Sequence, residues 1–282
     1  MFLLKIVMVI LIQCNDRVGL VADIASVLAK AGYNIIAMRE HVDVEENRFF
    51  VRVLVEDIIN TPNIEMELMK ALPPDTIVRV NPLPEKKIAV LVTREYHCLS
   101  DILIRNHFKT LGAEVQCVIG NHEDLKSITE KFGIPFYLVS HEAKSKEKFE
   151  EEIMEIVSRY NPDFLILAKF MRVLSPRFIS SFYMRIINIH HSFLPAFIGA
   201  NPYKQAYKRG VKIIGATAHF ITNDLDEGPI ITQKIISVNH SLSLPDLIKA
   251  GRENETAALA RAMQLVFDDR VLVFSNKTVV FE

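Results

Sequence analysis

The sequence predicts a two-domain α/β protein: a small ferredoxin-like βαββαβ unit, then a larger α/β unit built on a mostly parallel sheet. Three observations predict this. Prolines cluster at Pro73-Pro74 and again at Pro82-Leu83-Pro84. Proline fixes φ and restricts the residue before it, so the second cluster reads as an extended connector. Before it, apolar periodicity runs in the order strand, helix, strand, strand, helix, strand. After it, apolar strand-like runs alternate with helical patterns, the order that covers a parallel sheet on both faces. The expected boundaries are 1–82 for the first domain, 83–86 for the linker and 87–282 for the second.

Each element follows from local pattern. The apolar start, Phe2-Leu3-Leu4 and then Ile6 to Ile12, is broken by Lys5. It is too short for a membrane span and lacks the cleavage site of a signal peptide, so a buried strand is expected from Val7 to Cys14. Asp16 is the expected cap of a helix carrying Leu20, Ile24, Val27, Leu28 and Ala31, with Gly32 ending it. Asn34 to Val44 and Arg48 to Glu56 read as a hairpin around Glu45-Glu46-Asn47, Ile64 to Leu72 as a helix, and Thr76 to Val80 as a strand. Beyond the connector, strands are expected at Lys87 to Thr93, Glu114 to Ile119, Phe136 to Val139, Phe164 to Ala168 and Arg185 to His190. Helical patterns lie at Cys98 to His107, Leu125 to Phe132 and Lys146 to Tyr160. A strand pair, Gly215 to Ile221 and Ile230 to Val238, extends the sheet, and the amphipathic stretch Leu244 to Phe267 covers it.

Composition narrows the function classes. The chain has 282 residues, a net charge of −1 and half its residues hydrophobic, with basic and acidic residues interleaved. That argues against a nucleic-acid partner. Cys14, Cys98 and Cys117 are scattered without a C-x-x-C pair, which fits reduced thiols in a cytoplasmic protein and not a disulfide framework or a zinc site.

The chemistry points to Asn188 to Gln233. Asn188 and His190 follow the apolar Ile186-Ile187, and residues two apart on a strand share a face. An amide and an imidazole aimed at one point can donate to an oxyanion and move a proton, and a later carboxylate, Asp226, can orient the imidazole. That is a kit for attacking a carbonyl with water or an amine, with no metal. On residues alone the trio is a weak signal, since a histidine at a strand end is more often a hydrogen-bonded structural residue.

The run HHSFLPAFIGANPYKQAYKRGVKIIGATAHFITNDLDEGPIITQ resembles the core of the tetrahydrofolate-dependent formyl transferase and hydrolase superfamily. The paired His190-His191 and the AFIGANPY run are similar to its formyltetrahydrofolate deformylase branch. The resemblance implies that Asn188 binds the formyl oxygen as it becomes an oxyanion, that His190 handles protons, and that Asp226 stabilises the imidazolium. His191, pointing to the opposite face if the strand continues, is read equally as packing or catalytic. His219 is read first as a structural hydrogen bonder. The resemblance places the folate along Ala168-Lys169-Phe170-Met171-Arg172-Val173-Leu174, with Phe170, Met171, Arg172, Val173 and Leu174 as its site residues, against the plainer reading of a strand-to-helix turn before Ser175-Pro176. Thr222, Asn223, Asp224 and Leu225 form a second candidate pterin wall.

Glycinamide ribonucleotide transformylases carry a glycine-rich phosphate loop after the first strand of this domain; this chain has Thr93-Arg94-Glu95-Tyr96-His97-Cys98-Leu99-Ser100. Tyr96, His97 and Cys98 match the deformylases, so water is the implied acceptor. The implied activity is hydrolysis of 10-formyltetrahydrofolate to tetrahydrofolate and formate, with no tightly bound cofactor, in a homo-oligomer whose formate feeds purine synthesis and balances the one-carbon pool. A phosphoribosylglycinamide formyltransferase and a non-catalytic folate or amino-acid sensor are the alternatives. A transferase acting on methionyl-tRNA would need a basic C-terminal domain after the core. In the first domain, CNDRVGLVADIASVLAKAGYNI resembles an ACT domain. The resemblance implies an amino-acid effector, glycine or methionine, at Asp16, Gly19, Leu20 and Asn34; equally, Gly19 opens a tight turn and the domain only dimerises.

Overall fold

The computed structural model describes residues 7–56, 63–82, 85–196 and 202–282. They form two compact units, one of Met1–Pro84 with Asp268–Glu282, the other of Glu85–Phe267. The apolar residues Phe2 to Ile6 ahead of the expected first strand, the linker residues Leu83 and Pro84, and positions 197–201 of the AFIGANPY run lie outside the described residues. Among the described residues no helix is long and apolar enough to cross a membrane.

The first unit runs β1 (Val7–Asn15), α1 (Leu20–Lys30), β2 (Ile35–Asp43), β3 (Arg48–Glu56), α2 (Ile64–Ala71) and β4 (Ile77–Pro82). Its sheet has the order β2-β3-β1-β4 with every pairing antiparallel, which is two interlocked split βαβ units. Alternate residues of β1 and β3, among them Ile10, Ile12, Val51 and Val53, pack against Leu20, Ile24 and Leu28 of α1 and Leu68 of α2. The helix cap differs from expectation. Asp16 does not cap α1; its backbone N–H is bound to the Asn47 carbonyl at 2.9 Å, and the N-cap is Gly19 at φ 92°. Glycine adopts that left-handed backbone without penalty and turns the chain into the helix. At the other end, Gly32 and Tyr33 N–H groups return to the Ala29 and Leu28 carbonyls, a Schellman closure.

The second unit begins with β5 (Lys86–Val92), α3 (His97–His107), β6 (Ala113–Gly120), α4 (Lys126–Lys131), β7 (Phe136–Leu138), α5 (Lys146–Tyr160) and β8 (Phe164–Ala168). It continues with α6 (Pro176–Ser181), β9 (Ile186–His190), α7 (Pro202–Arg209), β10 (Ile213–Phe220), β11 (Ile230–Ser237) and α8 (Leu244–Phe267). The sheet order is β11-β10-β9-β8-β5-β6-β7; the five strands from β9 to β7 are parallel, and β10 and β11 add antiparallel at one edge. The chain moves outward from β5 through β6 and β7, then crosses back to β8 and β9. The carboxyl ends of β5 and β8 therefore flank a topological switch point, where ligands bind in open α/β sheets. The short helices α6 and α7 are additions to the expected elements. For α6 the start signal is explicit: Ser175 caps it by accepting from the Phe178 N–H, and Pro176 sits in its first turn.

The expected second domain ran to residue 282, but the chain returns to the first unit. β12 (Val271–Phe274) and β13 (Lys277–Val280) form a hairpin whose Leu272, with Phe281 just beyond it, packs on Val9, Leu11 and Phe50. This is why β1 is apolar at nearly every position: both faces of its sheet are covered. Arg52 fastens the approach to the hairpin, donating to the carbonyls of Asp268 and Asp269.

Candidate active site

Two strand ends and one loop bring Asn188, His190 and Asp226 together. β9 pairs with β10 so that Asn188 faces His219 and His190 faces Thr217. Partners directly opposite in an antiparallel ladder share a face, so Asn188, His190 and His219 point to one side. The loop between β10 and β11 carries Asp226 at φ 57°, a left-handed conformation that aspartate tolerates better than most residues. Its Oδ1 lies 3.2 Å from His190 Nδ1 and 3.8 Å from His219 Nε2.

Hydrogen bonding fixes the proton positions. His219 Nδ1 is 2.8 Å from the Phe220 carbonyl, which can only accept, so Nδ1 carries the proton. Burial pushes the His219 pKa down, although the carbonyl contact and Asp226 oppose it, and the ring is neutral. Its Nε2 then accepts from the Asn188 amide at 3.2 Å, leaving the second amide N–H of Asn188 available. Burial alone would raise the Asp226 pKa; the hydrogen bond from His190 and the nearby imidazoles hold it below the usual aspartate range. An ionised Asp226 makes His190 Nδ1 the donor. His190 Nε2 is buried and makes no hydrogen bond with the described protein groups. In the neutral ring it is a bare acceptor.

These residues line a cavity of about 750 Å³ at the carboxyl ends of β5, β8 and β9. Phe170 to Leu174 and Thr222 to Leu225, both anticipated folate walls, line it too. The two stretches are not uniform. Phe170 and Leu174 are buried core residues, with Phe170 stacked on Phe149, whereas Met171 and Val173 are exposed. The wall is held at both ends: the Met171 N–H donates to Thr93 Oγ1 at 2.9 Å, and the Ser175 N–H to the buried Glu150 at 2.7 Å.

The loop after β5 divides. His97 lines the cavity, but Cys98, one residue into α3, is buried in the core, and Tyr96 is exposed at the cap. A helix turns successive side chains about 100° apart, so these neighbours cannot share one wall. Burial pushes the Cys98 thiol far above its usual range, so it is neutral. His191 does not point to the opposite face: β9 stops at His190, and His191 lines the same cavity with its ring 5.2 Å from that of His190. Burial, then the charge of Lys169, lowers its pKa to about 4.

Four further cavity residues, Glu255, Tyr203, Arg252 and Glu95, were not selected from sequence as site residues, and Lys169 entered only as part of the folate stretch. Glu255 of α8 accepts from His97 Nε2 at 2.8 Å and from the Tyr203 hydroxyl at 2.5 Å, and pairs with Lys169 Nζ at 3.0 Å. Arg252 and Glu95 pair beside them at 2.9 Å. The signal available in sequence was a glutamate on the apolar stripe of α8, between Gly251 and Leu259. His97, Cys98 and Glu255 have ligand atoms close enough to hold a metal ion, but the Lys169 ammonium already neutralises that carboxylate. In the first unit, Gly19 and Asn34 are exposed, whereas the Leu20 side chain packs in the core.

Residues 86–263 match the formyl transferase family, and residues 8–73 match the ACT domain. A formyltetrahydrofolate deformylase of Haemophilus influenzae is 48% identical over 272 residues, covering 96% of this chain and 98% of that protein. The crystal structure of a formyltetrahydrofolate deformylase from Pseudomonas syringae matches with a TM-score of 0.93 at 38% identity, over 100% of this chain and 96% of that one. A glycinamide ribonucleotide transformylase from Symbiobacterium toebii is more distant, with a TM-score of 0.67 at 28% identity over 70% of this chain and 95% of its own. With an ACT domain, a formyl transferase domain and near full-length identity to these relatives, the chain belongs to the formyltetrahydrofolate deformylase family.

Proposed function

We propose that the chain hydrolyses 10-formyltetrahydrofolate to tetrahydrofolate and formate. The observation that carries this reading is the pairing of His190, whose Nε2 is a free acceptor, with Asn188, whose second amide N–H is a free donor, in one cavity. His190 Nε2 takes a proton from water, and the water oxygen bonds to the formyl carbon. The oxyanion that forms accepts from Asn188, a preorganised donor worth about 3 kcal/mol of barrier. Asp226 stabilises the imidazolium. His190 then returns the proton to N10 as the carbon–nitrogen bond breaks, and formate leaves with the remaining proton released to solvent. The pterin lies between Met171–Val173 and Thr222–Leu225, a mix of apolar surface and polar edges suited to a flat heteroaromatic ring.

Transfer to a glycinamide nucleotide is the competing reading. The glycine-free loop from Thr93 to Ser100 opposes it, because close backbone approach to a phosphate favours glycine. The test is release of tetrahydrofolate and formate, with and without a glycinamide nucleotide; formylation of the nucleotide faster than formate release would reverse the assignment.

The ACT unit supports regulation by a small amino acid, glycine or methionine, near Asp16, Gly19 and Asn34 in a homo-oligomer. The three buried, unpaired cysteines fit a reducing cytoplasm. In that setting the formate would supply purine synthesis and balance the one-carbon pool.

A further inference from the structure

The cluster around Glu255 is unusual for a helix that covers a sheet. The carboxylate is 1% exposed, and its partners come from three other places: the start of α3, the residue after β8, and α7. Burial opposes its ionisation, yet the hydrogen bond from His97, the charge of Lys169 and the Tyr203 hydroxyl hold its pKa at about 2. Such an assembly is a poor stabilising device, because apolar side chains of the same volume would do as well or better. Lys169 adds a second anomaly. It is 8% exposed and sits at φ 62°, a backbone conformation that a lysine rarely adopts and a glycine would adopt freely. Strain of this kind collects at functional sites. Gly251, one turn before Glu255, leaves the space that the Tyr203 ring occupies; a β-carbon there would fall on the ring.

All four side chains line the cavity that holds Asn188 and His190, and His191 lies between, its ring 5.2 Å from that of His190 and 6.1 Å from that of Tyr203. His97 Nε2 faces a carboxylate and must donate to it. In the neutral ring Nδ1 is therefore an acceptor; it is buried without a hydrogen bond to the described protein groups, with the Glu95 carboxylate 3.7 Å away. It suits the O–H of one water.

Resting on the hydrolytic reading above, we propose that Lys169, Glu255, His97 and Tyr203 are the specificity-determining residues on the acceptor side of the site, restricting the acceptor to a single water. His97 Nδ1 accepts from that water, and the Lys169–Glu255 pair fills the volume that an amine would need. Opening this side should let an amine compete. Its nitrogen would bond to the formyl carbon as the bond to N10 breaks, one amine proton passing to N10, with a formamide as product instead of formate.

The test uses the full chain with 10-formyltetrahydrofolate and glycinamide as a small amine, measuring tetrahydrofolate, formate and N-formylglycinamide together. Wild type should give equal tetrahydrofolate and formate at any glycinamide concentration. Lys169→Gly, which suits the backbone, and His97→Asn should each slow formate release by up to about a hundredfold, the scale of a misplaced reactant. In Lys169→Gly, N-formylglycinamide should appear and the ratio of formate to tetrahydrofolate should fall below one. A merely structural role would lower all products together and leave that ratio at one. The inference is overturned if wild type formylates glycinamide at a rate comparable with hydrolysis, or if the ratio stays at one in a folded Lys169→Gly. If that variant does not fold, His97→Asn decides on the same ratio: formate falling below tetrahydrofolate in the presence of glycinamide supports the inference, and a ratio of one overturns it. No tetrahydrofolate from wild type would instead sink the hydrolytic reading itself.

Discussion

At the residue scale the proposed mechanism makes Asn188, His190 and Asp226 act as a unit. Asn188→Ala should cut hydrolysis by about two to three orders of magnitude with little change in folate binding, the usual loss for one oxyanion donor. Comparable losses are expected for His190→Ala and Asp226→Ala, with doubles costing far less than the sum of singles, as steady-state kinetics of the set would reveal. Wild-type turnover in Asp226→Ala would remove that carboxylate from the mechanism. The neighbouring imidazoles set a pH dependence of stability. His191 and His219 have folded pKa values below the ordinary histidine value, so the unfolded chain binds more protons over that range. Their contribution is fully present above the unfolded value of 6.5 and is lost as pH falls; for His191 the loss runs down to about 4. Thermal melting between pH 7 and 4.5 should show a falling midpoint, and His191→Gln should flatten it. A midpoint that rises on acidification would contradict this. Asn188 and His190 were legible in sequence because two-residue spacing on a strand is strictly local. The Lys169–Glu255 pair was not, because its partners are brought together by packing across the sheet.

Elements explain what residues cannot. The register of β9 against β10 places His219 opposite Asn188, so a histidine first read as structural both lines the cavity and orients the amide. The apolar stripe of α8 was read correctly as a covering helix, but periodicity does not distinguish a buried leucine from a buried glutamate with three partners. Gly251 offers a test at this scale. Alanine should favour the helix by about 1 kcal/mol on propensity, yet its β-carbon would displace the Tyr203 ring, a strain of about 1–3 kcal/mol. We therefore expect Gly251→Ala to lower the melting temperature and to slow hydrolysis. A more stable, fully active variant would show that Tyr203 can relax without consequence. The short helices α6 and α7 were missed because one or two turns carry too little periodicity; only the Ser175-Pro176 cap announced α6.

At the scale of the whole molecule, the chain leaves its first unit and comes back. Ending the chain at Phe267 would uncover Val9, Leu11 and Phe50, and should destabilise the first unit, seen as an earlier thermal transition with dye binding to exposed apolar surface. A transition at the wild-type temperature would argue that the hairpin is dispensable. If the ACT unit is a sensor, glycine and methionine should change formate release in opposite directions. Gly19→Val, which forces a β-branched side chain onto a left-handed backbone, should abolish the response relative to its own basal rate. An unchanged rate across both titrations, with no heat of binding, would reduce the unit to an assembly module.

By itself the sequence determined the βαββαβ order before the connector, the main strands of the second unit and the switch from antiparallel to parallel architecture, and it singled out Asn188, His190 and Asp226, which line one cavity. Each rests on short-range periodicity or on a contiguous motif, and local geometry is enough to read them. Tertiary structure decided that Gly19 and not Asp16 begins α1, that His191 shares the cavity once β9 ends, and that the last fifteen residues return to the first unit. It also decided that Lys169, Tyr203 and Glu255 converge on His97. Those outcomes depend on which distant surfaces bury one another, and a buried charge finds its partners only when the sheet and its covering helices have closed.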